Sequence, residues 1–411
     1  SMEIELKSAP YRNATLSIDE RVEDLLHRMT LEEKTAQTIS YQHLKFEEDG
    51  SLAEETHAKL KHGLGSFQKG TGKLPPRESA QFANMLQRFM VEETRLGIPI
   101  LIHEECLHGH LAVRGTSFPQ ALALASTWDP DLVEQVFTTV ARETRARGAH
   151  QALTPNCDIA RDPRFGRVEE TYGEDACLNA RMVAAVVRGF QGRGPGIGSD
   201  RIISTLKHFA GYGQGDGGRN FAPSSIPLRV FLDEIIQPFR AGIEAGAMSV
   251  MPAHGEIDGI PCHANRWLLT DLLREELRFD GYVVTDYHDI QRLKIIHRII
   301  ENLEDGAILA LQAGVDMELP APQGYAHLTD LVRTGRLDEA LLDQAVRRIL
   351  RAKFTLGLFE NPYADPEYAE VIVNCQEHKD LALEAAKKAV ILLKNDGDTL
   401  PFNLKSIRRL A

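Results

Sequence analysis

The sequence predicts an α/β protein built on a (β/α)8 barrel of the TIM type, and two observations support this prediction. Short apolar runs alternate with longer segments of helical spacing along most of the chain. Most of these runs also end in polar or charged residues, as expected where a barrel collects its functional side chains at the carboxyl ends of its strands. Repeated strand-then-helix units indicate a parallel barrel rather than an open sheet.

The candidate strands are runs of Val, Ile, Leu and Thr, as strands that are buried on both faces require. They cover residues 64–67, 98–103, 151–155, 202–208, 249–254, 282–286 and 313–319, and a weaker run near 35–40 makes eight. Helical spacing predicts helices over 130–147, 178–190, 228–244 and 268–278.

Four of the predicted strands end in comparable polar bursts. These are His103-Glu104-Glu105, Lys207-His208, His254-Gly255-Glu256 and Asp286-Tyr287-His288. A surface loop would explain one burst, but four at corresponding positions predict one shared pocket at the mouth of the barrel.

The last part of the chain predicts a change of domain. Residues 337–358 have the pattern of a long amphipathic helix, 378–388 are helical, and 389–394 (AVILLK) read as a buried strand. Because one helix and one strand cannot form a core, we expect a barrel over 1–360, a linker over 361–376, and the beginning of a second, mostly absent α/β domain over 377–411.

Composition limits the classes of partner. The 411-residue chain is 43% apolar with a formal charge of −12, which argues against nucleic acid and anionic membranes. No apolar run approaches the roughly 20 residues of a membrane-spanning helix.

Five widely spaced cysteines predict reduced, mostly buried thiols. The first residues contain no signal-peptide core, so a cytoplasmic location is expected, or a periplasmic or secreted one if a leader was removed.

Six segments occur in this order along the chain: LGIPILIHEECLHG, SFPQALALASTWDPDLV, DIARDPRFGRVEETYGED, STLKHFAGYG, EIDGIPCHANRWLLTDLLREELRFDGYVVTDY and AVILLKNDGDTLPF. Together they resemble glycoside hydrolase family 3. The resemblance implies a retaining, exo-acting β-glycosidase that releases terminal β-xylose or β-glucose from a carbohydrate substrate without a metal or other cofactor. It also implies that the second domain is an α/β sandwich.

Asp286 is the candidate nucleophile. It ends the run Tyr282–Thr285, and a retaining glycosidase needs an ionised carboxylate beside the anomeric carbon to form a covalent intermediate. From the residues alone, an Asp that caps the next helix is an equal alternative. The resemblance assigns Asp286 as the nucleophile, with Thr285 in place of the usual Ser.

Three basic residues are candidate sugar ligands by the same resemblance: Lys207, His208 and Arg167. A buried Lys at a barrel mouth needs a partner or ligand hydroxyls, although a Lys that snorkels at the rim is the plainer alternative. The nearby Arg161 and Arg164 are expected to form structural ion pairs.

Glu105 occupies the position where family members carry an acidic residue that faces the sugar O4. Many glucosidases have the shorter Asp there, so Glu105 favours xylose over glucose. Strand alternation is expected to turn its neighbour Glu104 outward. His254 and Tyr212 depart from the family pattern, which usually has Tyr and often His at these positions, and His254 is expected beside the nucleophile and the sugar.

A general acid is missing from these assignments. In similar two-domain enzymes the second domain supplies it, whereas the single-domain branch uses an Asp-Ser-His loop that residues 215–220 (GDGGRN) do not match. Two alternatives remain open: a metal-dependent barrel hydrolase that uses His103, His108 and His110, with Asp286 as a strand-end ligand, and a truncated fragment that binds sugar without hydrolysing it.

Overall fold

The computed structural model describes residues 2–68 and 72–409, and a parallel β-barrel forms the centre of this part of the chain. The strands described are β1 Ser40–Tyr41, β2 Ser66–Gln68, β3 Leu101–Glu104, β4 Gln151–Ala152, β5 Ile203–Phe209, β6 Ser249–Pro252, β7 Glu256–Ile257, β8 Ile260–Pro261 and β9 Tyr282–Val283. Strands β1 to β6 and then β9 pair in chain order, all in parallel. Strands β7 and β8 form a separate antiparallel hairpin.

Residues 317–318 close the barrel. A parallel bridge joins Val284, directly after β9, to Met317, and a second joins Glu318 to Ile39, directly before β1. The segment predicted at 313–319 therefore stands between the last and first strands as the eighth member of the ring. This confirms the predicted barrel, and it brings the carboxyl ends of all eight segments to one mouth.

Helices surround the barrel. The α-helices of the described residues are Met2–Lys7, Ile18–Arg28, Leu31–Gln37, Glu54–Leu60, Pro76–Glu93, Ala121–Ser126, Pro130–Ala146, Ala176–Gln191, Leu228–Val230, Gln237–Glu244, Asp289–Ile295, Leu303–Ala313, Leu328–Arg333, Glu339–Thr355, Pro366–Ile372 and Gln376–Ala389. Wider π-helical turns cover Phe231–Ile235 and Trp267–Glu276. In the chain that the structure describes, none of these helices is long and apolar enough to cross a membrane. All five cysteines are free thiols, and Cys106, Cys157 and Cys262 are buried.

The prediction of a strand near 35–40 was wrong in its position. Residues up to Gln37 belong to the helix Leu31–Gln37, and β1 begins only at Ser40. Thr30 and Glu33 form a capping box at the start of this helix. The T-x-x-E spacing is a helix-start signal, and it outweighs the β-branched residues that follow.

The prediction of a buried strand at 389–394 was also wrong. Residues 390–395 have no regular structure, and Val390 and Leu393 are 80% and 92% exposed. A strand requires a ladder partner for its backbone groups, and the described residues offer this segment none.

Residues 361–389 pack against the barrel helices. The backbone of Ala364 exchanges two hydrogen bonds of 2.8 Å with the side chain of Asn84. Further along, the buried carboxylate of Glu143 accepts hydrogen bonds from the Asn374 backbone N–H (2.8 Å) and from His378 Nδ1 (2.7 Å). The helix Gln376–Ala389 is therefore anchored to the barrel by a buried ionisable pair.

Candidate active site

Asp286 lies at the mouth of the barrel because its neighbour Thr285 is fixed to the adjacent strand. Thr285 donates its backbone N–H to the Met317 carbonyl (2.8 Å), and its hydroxyl accepts the Leu319 N–H (2.8 Å). Side chains alternate along an extended segment, so Asp286 turns away from this contact, towards the pocket. Only 7% of Asp286 is exposed.

The two carboxylate oxygens of Asp286 have different surroundings. Oδ1 accepts the backbone N–H of Tyr287 at 2.7 Å. Oδ2 lies 2.9 Å from His254 Nε2 and 3.7 Å from His208 Nε2. Burial by itself would raise the pKa of Asp286, but the His254 imidazolium and the Lys207 ammonium outweigh burial and hold this pKa well below its usual range. The carboxyl is therefore ionised at neutral pH, as a nucleophile must be.

His254, which follows β6, bridges two carboxylates. Its Nδ1 lies 2.8 Å from Asp289 Oδ2, while its Nε2 faces Asp286. Burial would lower the pKa of His254, but these two carboxylates raise it to about 9. His254 is therefore an imidazolium at neutral pH, and the expectation that it lies beside Asp286 agrees with this geometry.

His208, on β5, is held from the opposite side by Asp158. Its Nδ1 lies 2.8 Å from Asp158 Oδ2, and its Nε2 accepts a hydrogen bond from Arg167 Nη1 at 3.3 Å. Burial lowers the pKa of His208, and Asp158 only partly offsets this effect. A neutral ring with its proton on Nδ1 satisfies both contacts.

Arg167 is positioned by Glu170 through two hydrogen bonds of 2.8 and 2.6 Å, and its guanidinium lies 5.6 Å from the Tyr212 ring centre. Arg161 and Arg164 instead form ion pairs with Glu234 and Asp162. The structure thus places Arg167 in the pocket cluster and the other two arginines in the surface pairs that were predicted for them.

Glu105 and Lys207 form an ion pair at the barrel mouth. Lys207 Nζ lies 3.2 Å from Glu105 Oε2, and the Tyr287 hydroxyl donates to Glu105 Oε1 at 3.3 Å. Gln68 in turn donates to the Tyr287 hydroxyl at 2.8 Å. Glu104 turns away from this cluster and lies 3.6 Å from His110.

All six predicted site residues, Glu105, Arg167, Lys207, His208, His254 and Asp286, therefore converge at the barrel mouth. The sequence interpretation missed the residues that hold them in place. These are Asp158, His263, Tyr287 and Asp289. Tyr287 lies within the polar burst Asp286-Tyr287-His288 and Asp289 directly follows it, so a local signal for these two was present in the sequence.

The three histidines of the metal-hydrolase alternative do not converge in the described structure. His103 Nδ1 contacts Ser66 Oγ (2.6 Å), and His108 Nδ1 contacts the Phe118 carbonyl (3.2 Å). Among the residues that the structure describes, one group brings three possible metal-ligand atoms together: His254, Asp286 and Asp289 each place one such atom within 4.8 Å of the others. Each ring nitrogen of His254 contacts one of the two carboxylates. The imidazole ring therefore occupies the space between them, where a metal ion would have to lie.

Comparison with known proteins agrees with this architecture. The profile of the "Glycosyl hydrolase family 3 N terminal domain" matches residues 30–352. A parallel barrel with a strand-end carboxylate and basic residues around it is typical of glycoside hydrolases. The profile match over residues 30–352 shows that the chain belongs to glycosyl hydrolase family 3.

Relatives and solved structures extend the match beyond the profile. A protein of Formosa agariphila named "putative beta-xylosidase" is 40% identical over 98% of this chain and 54% of its own length. The "periplasmic beta-glucosidase" of Salmonella typhimurium is 33% identical over 93% of this chain and 49% of its own. A β-glucosidase structure from Erythrobacter marinus matches with a TM-score of 0.93 and 41% identity, over 98% of this chain and 54% of that one. The chain spans about half the length of the curated relatives it matches.

Proposed function

We propose that the protein is a retaining, exo-acting β-glycosidase that releases terminal β-xylose or β-glucose, with Asp286 as nucleophile. The observation that carries this proposal is a buried, ionised carboxylate at a strand end, surrounded by Lys207, His208 and Arg167 as donors for sugar hydroxyls. Relatives named as β-xylosidase and β-glucosidase support the substrate class.

In the proposed reaction, Asp286 Oδ2 attacks the anomeric carbon while the bond to the leaving oxygen breaks. The product is a covalent glycosyl ester on Asp286, which water then hydrolyses with net retention. We assign Oδ2 as the attacking atom in this scheme because it faces the basic side chains proposed to bind the sugar, whereas Oδ1 accepts the backbone N–H of the next residue, Tyr287. Lys207, His208 and Arg167 orient the sugar, and the ionised state of Asp286 needs no separate base.

The leaving oxygen also needs a proton, and a second carboxyl roughly 5 Å from the nucleophile normally supplies it. Asp289 satisfies the distance, since its nearest oxygen lies within 4.8 Å of Asp286. However, Asp289 is buried behind His254, where it contacts only donors. We therefore place the general acid in a second domain, whose first elements we propose for residues 377–411.

The stereochemistry of the product tests the proposal. Hydrolysis of an aryl β-xyloside or β-glucoside, followed by ¹H NMR, is expected to show the β-anomer of the free sugar first, with the α-anomer appearing only by mutarotation. Initial release of the α-anomer would require a direct displacement by water and would exclude the covalent mechanism.

Glu105→Asp is expected to change the choice between the two sugars. The longer Glu side chain reaches into the space of a C6 hydroxymethyl group, so the wild type is expected to prefer β-xyloside by roughly 10- to 200-fold in kcat/KM. Glu105→Asp should narrow this ratio, mainly by raising activity on the glucoside. Glu104→Asp, which shortens the neighbouring carboxylate outside the pocket, is the matched control. A wild type that prefers glucoside, or an unchanged ratio in Glu105→Asp, would rule out Glu105 as the determinant.

A further inference from the structure

Asp289 is a buried carboxylate that contacts both imidazoles holding Asp286. Its Oδ2 lies 2.8 Å from His254 Nδ1 and 3.4 Å from His263 Nδ1. The other nitrogen of each ring faces Asp286: His254 Nε2 lies 2.9 Å from the carboxylate oxygen Oδ2, and His263 Nε2 accepts the Asp286 backbone N–H at 3.0 Å. One oxygen of Asp289 therefore orients two rings that hold different parts of the same residue.

The hydrogen-bond partners determine the charge on each ring. His263 Nε2 accepts an N–H and so carries no proton, which leaves the proton on Nδ1, facing Asp289. Burial lowers the pKa of His263, in agreement with a neutral ring. His254 has a carboxylate at each nitrogen, so both nitrogens carry protons. Arg292 Nη1 lies 3.2 Å from Asp289 Oδ1. Negative and positive groups therefore alternate in the order Asp286, His254, Asp289 and Arg292.

We propose that Asp289 is a positioning residue for the nucleophile, fixing the carboxylate of Asp286 through a cationic His254 and its backbone through a neutral His263. This inference rests on the proposed function, because only a reacting Asp286 would need both constraints. Asp289 does not touch the sugar and takes no part in bond making or breaking.

Asp289 is also the first residue of the helix Asp289–Ile295, so a plain helix-end role has to be distinguished from the positioning role. A carboxylate at a helix start stabilises the helix from an exposed position, whereas Asp289 is 3% exposed and turned towards the two rings. A helix-end role predicts a loss of stability alone. The positioning role also predicts a change in the protonation of His254.

Several groups face His254 and contribute to its titration. Asp286 and Asp289 approach its two nitrogens, and Arg292 Nη1 lies 3.5 Å from Nδ1. The neutral His208 stacks on the ring at 6.3 Å, Tyr212 packs edge-on at 5.6 Å, and His297 Nε2 lies 2.9 Å from the His254 carbonyl. Of the two carboxylates that face His254, Asp289 is the one whose charge can be removed without changing the proposed nucleophile.

The test compares three substitutions at Asp289 by two independent measurements. ¹⁵N-histidine NMR follows the titration of His254, and intact mass follows labelling of Asp286 by a 2,4-dinitrophenyl 2-deoxy-2-fluoro-β-glycoside, whose leaving group needs no protonation. Asp289→Asn keeps an acceptor oxygen but removes the charge. Asp289→Ala removes both, and Asp289→Glu restores the charge on a longer side chain.

The positioning role predicts a distinct pattern over the three variants. The His254 midpoint is expected at about pH 9 in the wild type; it should fall towards neutral pH in Asp289→Asn and return upward in Asp289→Glu. Labelling should slow less than tenfold in Asp289→Asn but about 100-fold in Asp289→Ala, where the rings lose their orientation. Variants that melt earlier while the His254 midpoint stays unchanged would overturn the inference.

A failure of the proposed function gives a different result. If wild-type protein is not labelled at Asp286, the glycosidase proposal fails, whereas the NMR titration still tests the link between Asp289 and His254. If Asp289→Ala does not fold, His254→Gln provides the second test. Because His254→Gln removes the cation beside Asp286, the pKa of Asp286 should rise. The pH below which the labelling rate falls should therefore be higher in His254→Gln than in the wild type. An unchanged pH would contradict the inference.

Discussion

Asp286→Ala is expected to lower kcat on aryl β-glycosides by about 10⁴-fold or more, because loss of a nucleophile removes the covalent route altogether. Sugar binding should survive within about tenfold, since Lys207, His208 and Arg167 remain in place to bind the hydroxyls. Isothermal titration with free xylose or glucose measures this second quantity. A large loss of binding together with activity would instead indicate that Asp286 mainly organises the pocket.

Two further results would identify the role of Asp286 as chemical rather than structural. A small external nucleophile such as azide should fill the space left by the shortened side chain and give an α-glycosyl azide, because a single displacement inverts the β-glycoside. In wild-type protein, the 2-fluoro glycoside should label the peptide that contains Asp286. Asp233→Ala, at a carboxylate 63% exposed and paired with Arg229, is the matched control and should keep full activity. Labelling of any other residue would contradict the assignment.

The second large effect concerns the leaving group. Three carboxylates near Asp286 in the described structure form ion pairs, which favour their ionised form and leave them no proton to donate. The pairs are Glu105 with Lys207, Glu170 with Arg167, and Asp289 with His254 and Arg292. General acid catalysis is worth about 10²- to 10⁴-fold. The 411-residue chain by itself should therefore hydrolyse dinitrophenyl glycosides much faster than unactivated disaccharides. This difference should exceed the one expected from the intrinsic reactivity of the two leaving groups. Among aryl glycosides, the rate should rise steeply with the acidity of the phenol.

Glu105→Gln provides the control for this experiment. If Glu105 were the acid, the substitution would steepen the dependence on leaving-group acidity and spare only the most activated substrates. We expect the slope to stay unchanged, although overall affinity will fall. A flat dependence in the wild-type chain, with good activity on a disaccharide, would show that a residue of this chain donates the proton.

The barrel and its pocket were predictable because both leave local signals in the sequence. Apolar runs mark strands buried on two faces, and the polar residues that end them, such as Lys207 and Asp286, necessarily meet at one mouth. His263 gave no such signal. It lies 23 positions before Asp286 along the chain, in a short turn after the β7–β8 hairpin, and only the closed ring brings its nitrogen to the backbone N–H of Asp286.

The errors also have physical causes. The AVILLK segment has the composition of a buried strand, but composition does not provide the hydrogen-bonding partner that a strand requires, and Leu393 remains exposed. Near residue 35, the helix start at Thr30 was a stronger determinant than the β-branched residues that suggested a strand. In both cases the structure of the segment depends on residues outside the apolar run itself.

The alternation of Asp286, His254, Asp289 and Arg292 has a consequence for the solvent in which the protein can work. Dissolved ions screen exposed charges over about 8 Å at physiological ionic strength and about 3 Å at 1 M, so surface ion pairs weaken at high salt, whereas buried pairs are screened far less. The three inner members of this series are each less than one-tenth exposed. Sodium chloride should therefore loosen surface pairs such as Lys45 with Glu55 well before it disturbs the charge of Asp286.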